Sequence, residues 1–400
     1  MSTATADDTR RLIAARGLRG FADGAVSVLL AGYLTDLGFS PLRVGAIITG
    51  TLLGSSLLTL AVGLLGHRSR RKRMLLAASA LMAATGIGFA GLTTFWPLLA
   101  VAVAGTLNPS AGDVSVFLPV EQAALAQSER ASRLTRTFAR YNLSGTLMGA
   151  LGALASGLPE AAARALHVDV HDAERVGFVV YVLVAVMIAT IYRGLSPTVE
   201  HYGAPSSPLA RSRAVVLELT ALFSLDSFGG GLVVQSLLVL WLDRRFHLPI
   251  ATTGAIFFVA GLLAAFSQLV SAQIAERIGR VRTMVYTHLP ANVFLMIAGL
   301  APNAPLAVAF LLLRMALSSM DVPARQSYVM AIVPPEERAA AASITNIPRS
   351  FATALAPLLA GAMLERSSFG WPLVIAGALK IVYDVLLLVR FRGVRPPGEP

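Results

Sequence analysis

The chain has 400 residues, 55% of them hydrophobic and only 14% charged, with a mean hydropathy of +0.68 and a formal net charge of +11. Apolar dominance on this scale excludes an ordinary soluble domain and makes the lipid bilayer the expected environment. The absence of cysteine excludes disulfides, thiol catalysis and thiolate metal ligation.

A helix crossing about 30 Å of hydrocarbon needs roughly 20 apolar residues. Twelve stretches reach that length, near 12–36, 42–66, 74–95, 97–125, 138–158, 175–194, 214–242, 250–275, 284–301, 305–332, 340–364 and 371–391. Nearly continuous apolar runs such as Leu57 to Leu65 and Val382 to Val389 lack the alternation of a membrane β-barrel. The first stretch is expected to remain as an uncleaved insertion signal.

Lys and Arg concentrate in alternate loops. Placing the N-terminus inside puts most of them on the inner side, so both termini are expected in the cytoplasm of a multi-pass protein of the cell inner membrane. The same distribution accounts for the net charge without a nucleic-acid partner. Arg193 to Arg213, centred on Gly203-Ala204-Pro205-Ser206-Ser207-Pro208, reads as a connecting loop. The expected division is a first half 1–194, a cytoplasmic linker 195–213 and a second half 214–400. The outer loop Leu158 to Glu174 carries His167, Asp169 and His171. That spacing could put two imidazoles on one helix face, but an exposed polar loop is the simpler reading and no metal site is assigned.

The halves repeat one layout. Gly45-Ala46-Ile47 leads to His67-Arg68-Ser69-Arg70-Arg71, and 209 residues later Gly254-Ala255-Ile256 leads to Glu276-Arg277-Ile278-Gly279-Arg280. Secondary transporters build a substrate site at the interface of two such repeats. Arg140 and Arg349 stand at the same interval and are candidates for charges acting between the bundles, and Pro119-Val120-Glu121-Gln122 echoes Pro323-Ala324-Arg325-Gln326. Glu121 and Arg325 are therefore candidates for an ion pair between the halves, or for local pairs within each.

Ionisable side chains within a bilayer are expensive and normally face a bundle interior or a wet cavity. Asp23, Asp113, Asp226 and Asp321 all fall near the middle of their spans, with Arg314 in the same span as Asp321. Four acids against one deep arginine predict a site that favours cations or carries protons. Asp23 and Asp226 are the expected coupling acids, and Arg314 with Asp321 an expected charge pair. Arg16 and Arg19 lie nearer the inner edge, within reach of Asp23. Lys380 and Asp384, four apart on one helix face, read as a self-neutralised pair.

The segment Gly63-Leu64-Leu65-Gly66-His67-Arg68-Ser69-Arg70-Arg71-Lys72-Arg73 resembles the signature that major facilitator superfamily transporters carry between their second and third helices. Gly63, Arg68, Arg71 and Lys72 keep its register, whereas His67 stands in place of the usual acid and Arg70 in place of a glycine. The second copy keeps Glu276, Arg277, Gly279 and Arg280, with Ala272 replacing the leading glycine. The resemblance implies an all-α integral membrane fold, with twelve transmembrane helices in two pseudo-symmetric six-helix bundles. It further implies alternating access, a cavity lined by helices one, four, seven and ten, and a cytoplasmic latch made by the loop acid and arginines.

A monomer without cofactor is expected, moving a small-molecule substrate with protons as the coupling ion. Ala352 to Gly361 has the shape of the family's antiporter motif but lies in the eleventh span. In the fifth, Gly145-x-x-x-Gly149 lacks the motif's proline, and small residues at this spacing also serve plain packing. Proton-coupled efflux of a small hydrophobic or cationic compound is the expected function, and symport uptake the alternative. A membrane enzyme is the rival from another class, but no His-Glu-x-x-His, Gly-x-Ser-x-Gly or phosphate-binding glycine loop occurs.

Overall fold

A computed structural model describes residues 3–65, 70–110, 115–128, 131–200 and 209–393. The α-helices in chain order are α1 (Thr3–Asp36), α2 (Pro41–Leu65), α3 (Arg71–Gly91), α4 (Phe95–Ala104), α5 (Phe117–Ser128), α6 (Ala131–Ala155), α7 (Leu158–Leu166) and α8 (Val170–Arg193). The second half contains α9 (Arg213–Gly231), α10 (Gln235–Phe246), α11 (Ile250–Ile278), α12 (Arg280–Leu300), α13 (Ala304–Ser318), α14 (Asp321–Ile332), α15 (Arg338–Arg366) and α16 (Trp371–Phe391). Among the described residues, nine segments are long and apolar enough to cross a membrane. The other three of the twelve expected spans are α1 and α6, which carry several charges, and the interrupted pair α4 and α5.

Three spans that read as continuous are broken. The fourth stops at Ala104 and resumes at Phe117 beyond Pro109, whose ring cannot continue a helical ladder. The seventh breaks at Leu232 to Val234, after Gly229-Gly230-Gly231, and the tenth at Ser319 and Met320. Backbone freed inside a membrane must be satisfied by protein. The Pro109 carbonyl accepts the Ser236 amide at 3.2 Å, and the Ser236 hydroxyl donates to the Ser27 carbonyl at 2.7 Å. The start of α10 is thereby bonded to both broken and continuous spans of the other half.

Small residues set how closely the helices pack. A Cβ at Gly24 would stand 2.0 Å from the Gly149 carbonyl oxygen, so α1 and α6 meet backbone to backbone. Between the halves, Gly45 of α2 and Gly361 of α15 oppose each other, and a Cβ on Gly45 would lie 2.6 Å from the Pro357 carbonyl oxygen. Gly254 of α11 likewise faces the Ala153 carbonyl of α6. These approaches, with the Leu42 amide donating to Glu365 at 2.8 Å, seal the seam at the end remote from the chain termini. The hydrogen bonds and glycine contacts that join described residues across the seam all lie in this direction from mid-depth. Away from the seam, α8 turns Val176, Val179, Leu183 and Val186 outward, an apolar surface suited to lipid.

At the opposite end a carboxylate binds the entry of the second half. Glu337 accepts the Ser212 hydroxyl and the amides of Ala210, Arg211 and Ser212, at 2.9 to 3.2 Å for the amides. These donors, the Ser212 hydroxyl foremost, hold its pKa down at about 2 from an ordinary 4.5. Its stabilising contribution is complete above about pH 4.5 and disappears as pH falls to about 2. Glu337→Gln is expected to lower the thermal midpoint of detergent-solubilised protein at neutral pH. The gap from the parent should close as the buffer approaches pH 2. Overpacking the seam with Gly45→Val is expected to cost about 1–3 kcal/mol, read as a lower unfolding midpoint of the same preparation.

Candidate functional site

Each half carries a buried charge cluster between its first and fourth spans. In the first, Arg19 Nη2 of α1 lies 2.6 Å from Glu121 Oε2 of α5, with both side chains essentially inaccessible. Tyr192 donates to Glu121 Oε1 at 2.5 Å, and Tyr141 donates to Oε2. The Arg19 guanidinium also stacks over Phe117, 4.6 Å from the ring centroid. Asp23, one helical turn further along α1, is buried near Arg19 and Arg16, with Oδ2 receiving no hydrogen bond. Arg16 fits because Gly145 is bare, since a Cβ there would fall 2.4 Å from Arg16 Nε.

In the second half the polarity is reversed. Asp226 of α9 accepts Lys380 of α16 at 2.6 Å and Arg325 of α14 at 3.3 Å. Arg325 also reaches Asp321 at 3.2 Å, one turn back on α14. His288 of α12 stands between two acids: Nδ1 is 2.9 Å from Asp384 Oδ1, and Nε2 is 3.7 Å from Asp226 Oδ1. Asn292 donates to the other Asp384 oxygen at 2.9 Å. Since Glu121 and Arg325 occupy corresponding positions in the repeated Pro-x-x-Gln segments, the halves build one interhelical pair with acid and base exchanged.

Several expectations change with this geometry. Glu121 and Arg325 each pair within their own half, because each meets an opposite charge on the first span of the same bundle. Arg314 does not pair with Asp321. The break at Ser319 and Met320 puts Asp321 at the start of α14, within a turn of Arg325, and leaves Arg314 Nη1 3.4 Å from Met315 Sδ. Lys380 and Asp384 do not neutralise each other but bond Asp226 and His288 on α9 and α12. The imagined excess of acid also disappears, since Arg16, Arg19, Arg325 and Lys380 are buried among the acids. Asp23 and the pair Asp226 and Asp321 belong to separate clusters in opposite halves.

The loop positions divide similarly. Arg71 donates to the Val199 carbonyl at 3.0 Å, and Lys72 Nζ to the Leu195 carbonyl at 3.0 Å, so both fasten the segment after α8 to the start of α3. Gly63 faces open space. Glu276 and Arg277 are exposed at the end of α11; Gly279, at φ +86°, makes the turn, and Arg280 opens α12. Arg140 is exposed, while Arg349 donates to Ser227 at 3.0 Å and Asn346 at 3.2 Å. Asp113, His67 and Arg68 lie outside the described residues. His167 ends α7 in the left-handed region, Asp169 caps α8, and His171 stacks on Tyr33. Among the described residues no group of three His or acidic side chains converges as for a metal.

Sequence reading missed His288, Tyr141 and Tyr192 and placed Arg19 at the membrane edge. A lone His or Tyr in an apolar span shows nothing of its partners on other helices. Glu121→Gln leaves Arg19 buried without its bonded counter-charge, Asp23 being near but unbonded, and is expected to cost about 3–5 kcal/mol, measured by chemical unfolding in detergent. The exchange Arg19→Glu with Glu121→Arg, which copies the polarity of the second half, should recover part of that loss.

The major facilitator superfamily model matches residues 12–288 and 219–400. An uncharacterized membrane protein of Saccharomyces cerevisiae, YJR124C, is 25% identical over 97% of this chain and 94% of its own length. The crystal structure of the nucleoside transporter NupG superposes with a TM-score of 0.74 at 14% identity, covering 96% of this chain and 99% of that one. A bacterial homologue of the human lysosomal transporter Spinster, inward-facing and occupied, gives 0.69 at 14% identity over 97% and 96%. These likenesses establish the fold, and the match of the family model along the chain makes it a member of the major facilitator superfamily of transporters.

Proposed function

We propose that the chain is a proton-coupled secondary transporter that exports a small hydrophobic or cationic compound by alternating access. Its halves, 1–194 and 214–400, rock about the linker 195–213, with both termini in the cytoplasm of a cell whose inner membrane holds the protein as a monomer. The observation that carries the coupling is His288, held between Asp384 and Asp226. Asp226 and Asp321 are bonded to the permanent cations Lys380 and Arg325, whereas Asp384 is bonded to His288 and Asn292. A proton on His288 offsets Asp384, and its loss leaves that carboxylate against a neutral imidazole, a change that a rearrangement of the bundle relieves. Asp23, buried near two arginines, is the corresponding proton or cation contact of the first half. Arg314 lies close enough to act on Asp226 and Asp321 without bonding either.

With the end remote from the termini sealed, the interior would be reached from the side of the termini, which the distribution of Lys and Arg makes the cytoplasm; export and uptake both pass through such a state. Glu276, Arg277, Gly279 and Arg280, with Arg71 and Lys72, are the residues that would latch that side when it closes.

Inverted membrane vesicles with an acidic lumen are expected to accumulate tetraphenylphosphonium, and a protonophore to abolish the accumulation. His288→Gln and Asp384→Asn should lower gradient-driven accumulation roughly tenfold or more while preserving exchange of labelled for unlabelled compound, which needs no net proton movement. Accumulation instead by right-side-out vesicles under external acid would establish symport uptake.

A further inference from the structure

We propose that α7 is an interfacial helix whose exposed face lies in the edge of the lipid hydrocarbon, in the leaflet remote from the termini. The helix, Leu158–Leu166, is tied to α6 by residues 156–157 and to α8 by residues 167–169. Tethers this short hold it at the level where those two spans leave the bilayer.

Exposure divides α7 lengthwise. At 3.6 residues per turn, Ala161, Ala165, Leu158, Ala162 and Leu166 fall in that order on an arc of about 140°, and all of them are exposed. Leu158 is 65% and Leu166 70% accessible, among the most exposed large apolar side chains of the described residues. The other side is turned to the protein, where Ala163 is buried and Pro159 stands against the bare Gly177 of α8. A helix face bathed in water carries charged or polar side chains, and this arc has none. Two leucines left there without an apolar partner would be disfavoured in water, whereas the hydrocarbon edge of a bilayer removes them from it.

Lipid as the occupant follows from the surroundings of the arc. Apolar exposure continues along the chain through Val168 and Val170 to Val176, Val179 and Leu183 on the outward face of α8. Trp96 at the start of α4 and Trp371 at the start of α16 are exposed at this same end, as aromatic side chains are at the boundary between hydrocarbon and water. The charges beside the arc cancel, because Glu160 and Arg164 lie 3.0 Å apart. The face therefore suits the acyl edge of a bilayer and does not depend on an anionic headgroup.

This placement bears on the seam. Gly157, immediately before α7, packs on α11 of the other half, where a Cβ on it would come 2.7 Å from Ala251 Cα. A lipid-held helix thus abuts the closed seam. Parting of this end must break the contact with Ala251 or slide α7 along the interface.

The chain contains no cysteine, so a single introduced cysteine is labelled without background. The test places a bimane fluorophore on Leu158→Cys and on Leu166→Cys in the full chain in phosphatidylcholine nanodiscs. Leu183→Cys serves as the lipid reference and the exposed Asp172→Cys as the aqueous one. Lipid carrying a nitroxide near the top of its acyl chains should quench the labels at positions 158 and 166 about twofold or more beyond the label at 172, and iodide should show the reverse order. Leu158→Glu with Leu166→Glu should withdraw the helix, so nitroxide quenching of a label on Ala162→Cys should fall about twofold or more in that background. Iodide quenching at 158 and 166 equal to that at 172, with none from the lipid nitroxide, would overturn the proposal. Oxidative cross-linking of Leu166→Cys between two copies in place of lipid quenching would overturn it too, making a second chain the occupant. Unchanged nitroxide quenching at 162 in the double variant would have the same consequence. No substrate or gradient enters these measurements, so their result is independent of the export reading.

Discussion

A charge inside a bilayer must find its counter-charge within the protein, and that requirement organises both halves of this molecule. Arg19 with Glu121 and Asp226 with Arg325 each join the first span of a bundle to its fourth, at 2.6 and 3.3 Å. Tyrosines complete the first cluster, and Lys380, His288 and Asp384 extend the second. Removing one partner is costly because the other remains stranded in a low-dielectric interior. The pairs therefore act as pins between the first and fourth spans of each bundle.

The exchange of acid and base between the halves has a consequence for asymmetry. The first cluster surrounds Glu121 with a guanidinium and two hydroxyls. The second cluster contains an imidazole between two carboxylates. A duplicated framework thus carries an arginine–carboxylate–tyrosine cluster in one half and an imidazole between two carboxylates in the other. The broken spans contribute to this division, because the interruption before Asp321 turns that acid toward Arg325 and away from Arg314.

Movement requires a seam that closes without polar anchors at every level. Gly45 against Gly361 and Gly254 against Ala153 allow backbone approaches that larger residues would block, and few directional bonds cross there. The alanine-rich run from Ala352 to Gly361 belongs to this packing. Contacts of this kind can be made and undone without exposing buried charge, in contrast to the pins inside each half.

By itself the sequence determined the membrane environment, the duplicated plan and the positions of the deep charges, because hydropathy and spacing are properties of consecutive residues. It also marked Asp23, Asp226, Asp321, Glu121 and Arg325 as residues needing an explanation, since their burial cost is legible wherever they fall in an apolar run. Which charge meets which was decided only by tertiary structure. Lys380 and Asp384 share a helix face and suggest one pair, yet each finds a nearer partner on another helix. Arg19 joins Glu121, 102 residues away. Electrostatic partners are chosen by distance in space, and that distance is set by helix crossings and breaks that no local pattern encodes.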